Sequence, residues 1–108
     1  MFEHWPDIPP SLGREITSPR PVTIDLGTAI PTHSPTFGAN ELSLRVRAGG
    51  LELSGRIEGH LHAWARANNG AWIGLISCTL ETPNRLGKIQ ITQWCSQRAI
   101  TPRNEGTP

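Results

Sequence analysis

The pattern that predicts the fold lies in residues 64–102, which read WARANNGAWIGLISCTLETPNRLGKIQITQWCSQRAITP. Short apolar segments alternate here with turn residues, and Trp64, Trp72 and Trp94 recur at the spacing of successive strands. A chain of 108 residues, 36% of them hydrophobic, is expected to hold one domain with a modest core. The stretch therefore predicts a β-meander in a small barrel whose wall carries aromatic and basic residues.

Alternation of apolar and polar residues predicts the individual strands of a barrel over residues 41–103. Gly49-Gly50 is typical of a tight hairpin turn because glycine adopts positive φ angles, and Gly59 is expected to end the strand that follows. Asn68-Asn69-Gly70 predicts a second turn. The predicted strands are 42–48, 51–58, 60–67, 71–80 (a central strand), 88–94 and 99–101. Five or six antiparallel strands are expected to close or nearly close, because natural sheets avoid long bare edges.

The distribution of prolines separates an N-terminal leader from this barrel. Seven of the ten prolines occur at or before Pro35, so residues 1–40 are predicted to be a Pro-rich, largely irregular leader. Within the leader, the alternation of residues 22–26 predicts a short edge strand. Residues 104–108 are predicted to be a disordered tail.

Two segments of the meander resemble the second half of SH3-like barrels. They are NGAWIGLI, residues 69–76, and WCSQRAI, residues 94–100, with a loop and a strand between them. SH3-like domains carry a turn, paired tryptophans, a glycine and a hairpin, then one turn of 3₁₀ helix before the last strand. The resemblance covers about residues 42–103 and implies a mainly β fold, a small SH3-like barrel of five to six antiparallel strands, more than a function.

The same resemblance shows one departure that bears on function. In proline-binding members the first tryptophan of the pair lines the ligand groove, and Ala71 takes that place here. Trp72 matches the second tryptophan, which is usually structural, and both Trp72 and Trp94 are expected to lie in the core. The chain also has no tyrosine, whereas that groove is built from several aromatic side chains. Recognition of proline-rich peptides is therefore disfavoured.

Charge is unevenly distributed although the net charge is only +1. Residues 1–41 contain two arginines and five acidic residues, whereas residues 42–103 contain eight basic and three acidic residues. An excess of basic groups favours a polyanionic partner, although mixed charge of this size is also ordinary for a soluble domain. The opposite signs suggest the hypothesis that the leader masks the basic face of the barrel.

The sequence contains no motif for catalysis or for a metal, and we expect a protein that is not an enzyme and has no cofactor. His60 and His62 share a strand face, but two ligands do not make a metal site, so they are interpreted as surface histidines. Cys78 and Cys95 form no Cys-x-x-Cys unit and are interpreted as small buried hydrophobic residues. Gly-x-Ser-x-Gly and P-loop patterns are absent.

Location follows from what the sequence lacks. No apolar run approaches the roughly 20 residues that cross a bilayer, and the first residues do not form a secretory signal. A cytoplasmic protein without a membrane partner is expected by default.

The predicted contact surface combines aromatic and basic side chains. Alternation along 60–67 predicts that His60, His62, Trp64 and Arg66 share an outward face, with further cations at polar positions on other strands. The predicted binding residues are Trp64, Arg66, His60, His62, Arg45, Arg47 and Lys88. We expect a non-catalytic module that binds a protein partner, since Trp and Arg are favoured anchors. Nucleic acid is the alternative partner, because the same groups stack on bases and pair with phosphates. A third hypothesis is an accessory subunit whose leader becomes ordered on its partner.

Overall fold

The computed structural model describes residues 13–32 and 43–103 and shows a mainly β protein. Five antiparallel strands form one curled sheet, a half-barrel, in the order β4-β3-β2-β1-β5. The strands are β1 Gly13–Asp25, β2 Arg56–Arg66, β3 Trp72–Glu81, β4 Lys88–Ser96 and β5 Ile100–Pro102. The helices are α1 Leu26–Ala29 and α2 Leu44–Gly49, and a 3₁₀ turn spans Gln97–Ala99.

The predicted meander is confirmed for β2, β3 and β4, which are successive neighbours in the sheet, whereas β5 pairs with β1. Gly70 has a φ of 92°, and the Asn69 Oδ1 atom accepts a hydrogen bond from the Ala71 amide at 3.0 Å, so the predicted turn joins β2 to β3. β3 is an interior strand, as its apolar sequence predicts, and the 3₁₀ turn precedes β5. Closure of the sheet is not confirmed, since β4 and β5 are the two edges of the sheet that residues 13–32 and 43–103 form.

The described part of the predicted leader belongs to the sheet, so its interpretation as an irregular segment is wrong. β1 has 13 residues and pairs with both β2 and β5, and it is therefore not an edge strand. Its prolines are tolerated because Pro19 falls where the register with β2 shifts and Pro21 lies outside the pairing with β5. The carbonyl of Pro21 still accepts a hydrogen bond from the Arg103 amide at 3.2 Å.

The predicted hairpin over residues 42–58 is also wrong. Residues 44–49 form α2, whose first turn is capped by the Ser43 hydroxyl, which accepts a hydrogen bond from the Val46 amide at 3.2 Å. Gly50 has a φ of −81°, so no positive φ angle is used at the predicted turn. The segment lacks a partner strand among the described residues, and its leucine, arginine and alanine side chains favour a helix once it is capped.

Gly59, which was predicted to end a strand, instead lies inside β2. A Cβ atom built on Gly59 would lie 2.5 Å from Ile24 Cδ1 and 2.6 Å from the Ser77 carbonyl oxygen. The missing side chain therefore allows β1 and β3 to approach β2 from both sides.

The sheet has a core face, which holds the buried side chains, and an opposite outer face. The core face receives side chains from all five strands, among them Val22, Ile24, Leu61, Ile76, Cys95 and Ile100. α1 packs against this face through the buried Leu26 and Ala29. The Gln93 side chain, on β4, donates a hydrogen bond to the Ala29 carbonyl at 3.1 Å and ties α1 to the sheet.

Some predictions lie outside the described residues, namely those for residues 1–12, 33–42 and 104–108. Within residues 13–32 and 43–103, no helix has both the length and the apolar character that a membrane span needs.

Candidate binding surfaces

A β-bulge in β2 determines which way its side chains point. The register with β3 shifts between Leu61 and Ala63, which leaves His62 as the extra residue. After the shift Leu61 and Trp64 point to the same side, because a Cβ built on Gly74 would lie 2.9 Å from Leu61 Cδ1 and 3.1 Å from Trp64 Cζ3. Trp64 therefore packs against the core.

The prediction that four residues of β2 share one outward face is wrong for this reason. His60 pairs with Ser77, and His62 Nε2 lies 2.7 Å from the Ser77 hydroxyl, so both histidines are on the outer face. Trp64 and Arg66 follow the bulge and lie on the core face. Because successive side chains of a strand point to opposite faces, one extra residue moves every later side chain to the other face of the sheet.

The remaining predicted residues lie at the other end of the sheet. Arg45 and Arg47 are exposed on α2, which is held against the β3–β4 loop by a hydrogen bond from the Asn84 amide to the Ala48 carbonyl at 3.0 Å. Lys88 is the first residue of β4. β3 has 10 residues, so at about 3.3 Å per residue its two ends lie roughly 30 Å apart. The structure therefore does not bring these three cations together with Trp64 and Arg66.

At the Trp72 end of the sheet, two indoles and two guanidinium groups form what we call the Arg–Trp cleft, which consists of Arg14, Trp64, Arg66, Trp72 and Gln97. The cavity has a volume of about 350 Å³ and is lined by Arg14, Trp64, Trp72 and Gln97. The guanidinium carbon of Arg66 lies 5.5 Å from the centre of the Trp72 ring, which is cation–π distance. Arg14 is brought beside Trp64 because the two residues are register partners across β1 and β2.

The cleft is positively charged. Arg66 Nε donates to the Gly70 carbonyl at 3.1 Å, which fixes its guanidinium over the indole. Among the described residues the ion pair that forms is Arg103 with Glu58 at 3.2 Å, and no carboxylate pairs with Arg14 or Arg66. Two cations beside two partly exposed indoles therefore face any ligand that enters.

Sequence reasoning missed three members of this cleft, Arg14, Trp72 and Gln97. Arg14 was assigned to the leader, and no local sequence pattern indicates that it pairs with Trp64, fifty positions later. Trp72 was interpreted as structural, yet a signal was present: Arg66 and Trp72 flank the predicted turn at Asn68-Asn69-Gly70 and are register partners across it. Trp94 was also predicted to be in the core, whereas 37% of it is exposed.

A second cavity lies on the outer face and is larger, about 680 Å³. Its wall is rich in hydroxyl, imidazole and amide groups, from His60, His62, Ser77, Thr79, Gln90 and Thr92. The charged residues that line it, Glu58 and Arg103, neutralise each other. This outer groove suits hydrogen bonding to a neutral polar group more than recognition of a charge.

The His62–Ser77 pair has the separation of a base and a nucleophile, but the arrangement around it is incomplete. In the described part of the chain no second group hydrogen-bonds the His62 ring to orient it, as nucleophilic catalysis requires. Among the same residues no group of three or more His, Cys, Asp or Glu side chains is placed to hold a metal.

The two cysteines are free and buried on the core face. Burial raises the pKa of Cys78, and burial together with the nearby Cys78 raises the pKa of Cys95 to about 11. Both thiols are therefore protonated near neutral pH and are poor nucleophiles and metal ligands. This agrees with their interpretation as small hydrophobic residues.

The chain matches no family model, no curated protein and no solved structure. A function is therefore inferred from the described side chains.

Proposed function

We propose that this protein is a non-catalytic binding module that holds an acidic segment of a protein partner in the Arg–Trp cleft. The observation that carries the proposal is the Arg66 guanidinium, 5.5 Å from the centre of the Trp72 ring, in a cleft that also presents Trp64 and Arg14. Tryptophan and arginine are the residue types that most often anchor protein interfaces.

The chemistry of the cleft selects for carboxylates beside apolar or aromatic groups. A guanidinium presents a rigid fork of hydrogen-bond donors that matches a carboxylate. Because the contact with the Trp72 indole already restricts the Arg66 side chain, less conformational entropy is lost on binding. The partly exposed indoles of Trp64 and Trp72 supply apolar contact area for the groups next to that carboxylate.

Nucleic acid is the second candidate, and the same pair of indoles favours it. Bases stack on aromatic rings, and guanidinium groups bind phosphates. We place it second because Arg45, Arg47 and Lys88 lie at the far end of the sheet, so the basic residues do not form one continuous track along which a phosphate backbone runs.

We further propose that the half-barrel is a variant of the SH3-like fold. Support comes from the 3₁₀ turn Gln97–Ala99, which stands between the last two strands as it does in that family. The sheet order β4-β3-β2-β1-β5 also leaves β1 next to β5, so that the first and last strands of the described chain are neighbours.

The test compares two charge reversals in the full chain. Tryptophan fluorescence is recorded during titration with a short peptide rich in Glu and Phe, with its Lys-for-Glu counterpart, and with a single-stranded oligonucleotide. We expect the acidic peptide to bind, and Arg66→Glu to weaken that binding about tenfold or more. Arg45→Glu changes the same charge roughly 30 Å away, so it is expected to leave the affinity unchanged.

The outcomes separate the candidates. Binding of the oligonucleotide alone, with a steep dependence on salt, would favour nucleic acid. Equal loss of affinity in Arg66→Glu and Arg45→Glu would remove the cleft as the site. Thermal melts of both variants establish that each is folded.

A further inference from the structure

β4 is an edge of the described sheet and lacks the features that usually keep an edge from pairing. It has 9 residues, and its register with β3 runs from Lys88 to Ser96 without a bulge. It contains no proline, and its one charged residue, Lys88, stands at its first position, across from Glu81. Natural edge strands are instead kept short, or carry proline, bulges or inward charges.

The opposite edge of the same sheet shows the contrast. β5 has 3 residues and ends in Pro102, which has no amide hydrogen to offer a neighbouring strand. The β5 edge is therefore protected because it is short and ends in proline, whereas the β4 edge is long and regular.

β4 also exposes apolar surface on both faces of the sheet. Ile89 is 48% exposed on the core face, and Trp94 is 37% exposed on the outer face. A strand added beside β4 covers part of both side chains and also hydrogen-bonds to the backbone amides and carbonyls of the edge.

We propose that β4 pairs with β4 of a second copy of this chain, antiparallel and centred on Thr92. Two half-barrels then join into one continuous sheet through a two-fold axis that passes beside Thr92. Such an isologous interface uses the same residues twice, so it needs no separate complementary surface.

Charge and register select this arrangement. In the antiparallel pairing Lys88 lies opposite Ser96 and Gln90 lies opposite Trp94, whereas parallel pairing in register places Lys88 beside Lys88. Centring on Thr92 overlaps all residues of β4 and keeps core-face residues opposite core-face residues. Threonine opposite threonine is a favourable cross-strand pair.

A second copy also fits β4 better than the acidic partner proposed for the Arg–Trp cleft. β4 has one cation with which to hold acidic groups, and the cleft lies mainly on β1, β2 and β3. Since Gln90 and Thr92 line the outer groove, the second copy extends the wall of that groove across the two-fold axis.

The first test measures the mass of the full chain by sedimentation over roughly a hundredfold range of concentration. We expect a dimer that dissociates on dilution. Thr92→Lys places two ammonium groups opposite each other on the axis and is expected to shift the protein to a monomer. Thr101→Lys, the same change at an exposed threonine of β5, is expected to leave the dimer intact.

A wild-type monomer at every concentration would overturn the proposal. So would a dimer that Thr92→Lys leaves intact, or one that Thr92→Lys and Thr101→Lys weaken equally.

The second test does not depend on a charged variant being folded. Across the proposed axis the two Thr92 Cα atoms lie about 4.5–5.5 Å apart, within reach of a disulfide. Thr92→Cys is therefore expected to form a crosslinked dimer under mild oxidation. Gln90→Cys places its two thiols about 13 Å apart along the strands and is expected to stay uncrosslinked. Equal crosslinking of the two variants, or none in Thr92→Cys, would contradict the proposed register.

Discussion

His62 determines which face of the sheet the second half of β2 presents. As the unpaired residue of the bulge in β2, it turns Trp64 toward the core face and leaves the two histidines on the outer face. The Arg–Trp cleft and the outer groove thus become two sites of different chemistry, one cationic and aromatic, the other neutral and polar.

Gly59 is predicted to be essential for the stability of the sheet. In Gly59→Ala the new Cβ atom meets Ile24 and the Ser77 carbonyl, so a neighbouring strand has to move. We expect a loss of about 1–3 kcal/mol in the free energy of unfolding, measured by urea denaturation. Gly27→Ala is the matched control, because its Cβ meets nothing closer than Asp25 at 3.7 Å. Equal stability of the two variants would contradict the close packing at Gly59.

Cys95 is predicted to make stability depend on pH in the alkaline range. Its pKa is raised in the folded protein from the ordinary 9.0 to about 11, so the folded state disfavours the thiolate. Its contribution is complete below about pH 9 and is lost as the pH rises through about 11. The chain has no tyrosine and one lysine, so few other groups titrate in this range.

The measurement is urea denaturation of wild type and Cys95→Ala between about pH 9 and pH 11. We expect the decline in the free energy of unfolding to be smaller in the variant. A decline of the same size in both proteins would show that Cys95 is not its source.

Among the elements, α2 differs most clearly from its sequence-based prediction, which was a strand. Its helical amides of Arg47 and Gly50 donate to the carbonyls of Ser43 and Val46. Ser43→Ala removes the cap, and we expect these two amides to exchange their hydrogens about fivefold faster, since a cap contributes about 1 kcal/mol. The melting temperature should not change, because the side chains of α2 are exposed.

Ser43→Asp supplies another capping oxygen and is expected to keep the wild-type exchange rates. If residues 44–49 formed the strand that their alternation suggests, neither substitution would affect the two amides selectively.

The elements also show which parts of the fold the sequence predicts. β4 is predicted because its alternation is long, and β3 because it is a long apolar run that follows the turn signal at Asn68-Asn69-Gly70. α2 is not, since six residues are too few to display a helical period and alternation over the same length resembles a strand. β1 is predicted only in its last part, within the strand expected over residues 22–26, because Pro19 and Pro21 indicate a break when their hydrogen-bonding positions are unknown.

The candidate site is predicted less well than the fold. Trp64 and Arg66 were identified as contact residues, but a bulge carries no residue signature, so their face was assigned incorrectly. Arg14 joins the cleft through the pairing of β1 with β2, which is a property of the folded sheet.

For the molecule as a whole, the acidic N-terminal segment is still predicted to mask a basic surface. The test has to preserve β1, which begins at Gly13. Deletion of residues 1–12 removes Glu3 and Asp7, and we expect it to strengthen binding of the Glu- and Phe-rich peptide. A matched full-length variant, Glu3→Gln with Asp7→Asn, separates charge from length. Unchanged affinity in both would remove masking from the account.

The existence of the Arg–Trp cleft, and therefore the proposed binding of an acidic partner, depends on the bulge turning Trp64 toward the core face. The measurement that tests it is a nuclear Overhauser spectrum of the indole protons of Trp64. We predict contacts from that ring to the Leu61 and Ile100 methyl groups and to the Gly74 α protons, since a Cβ at Gly74 would touch all three side chains. Contacts from the Trp64 ring to His62 and Ser77 instead would place it on the outer face and contradict the structure proposed for the cleft.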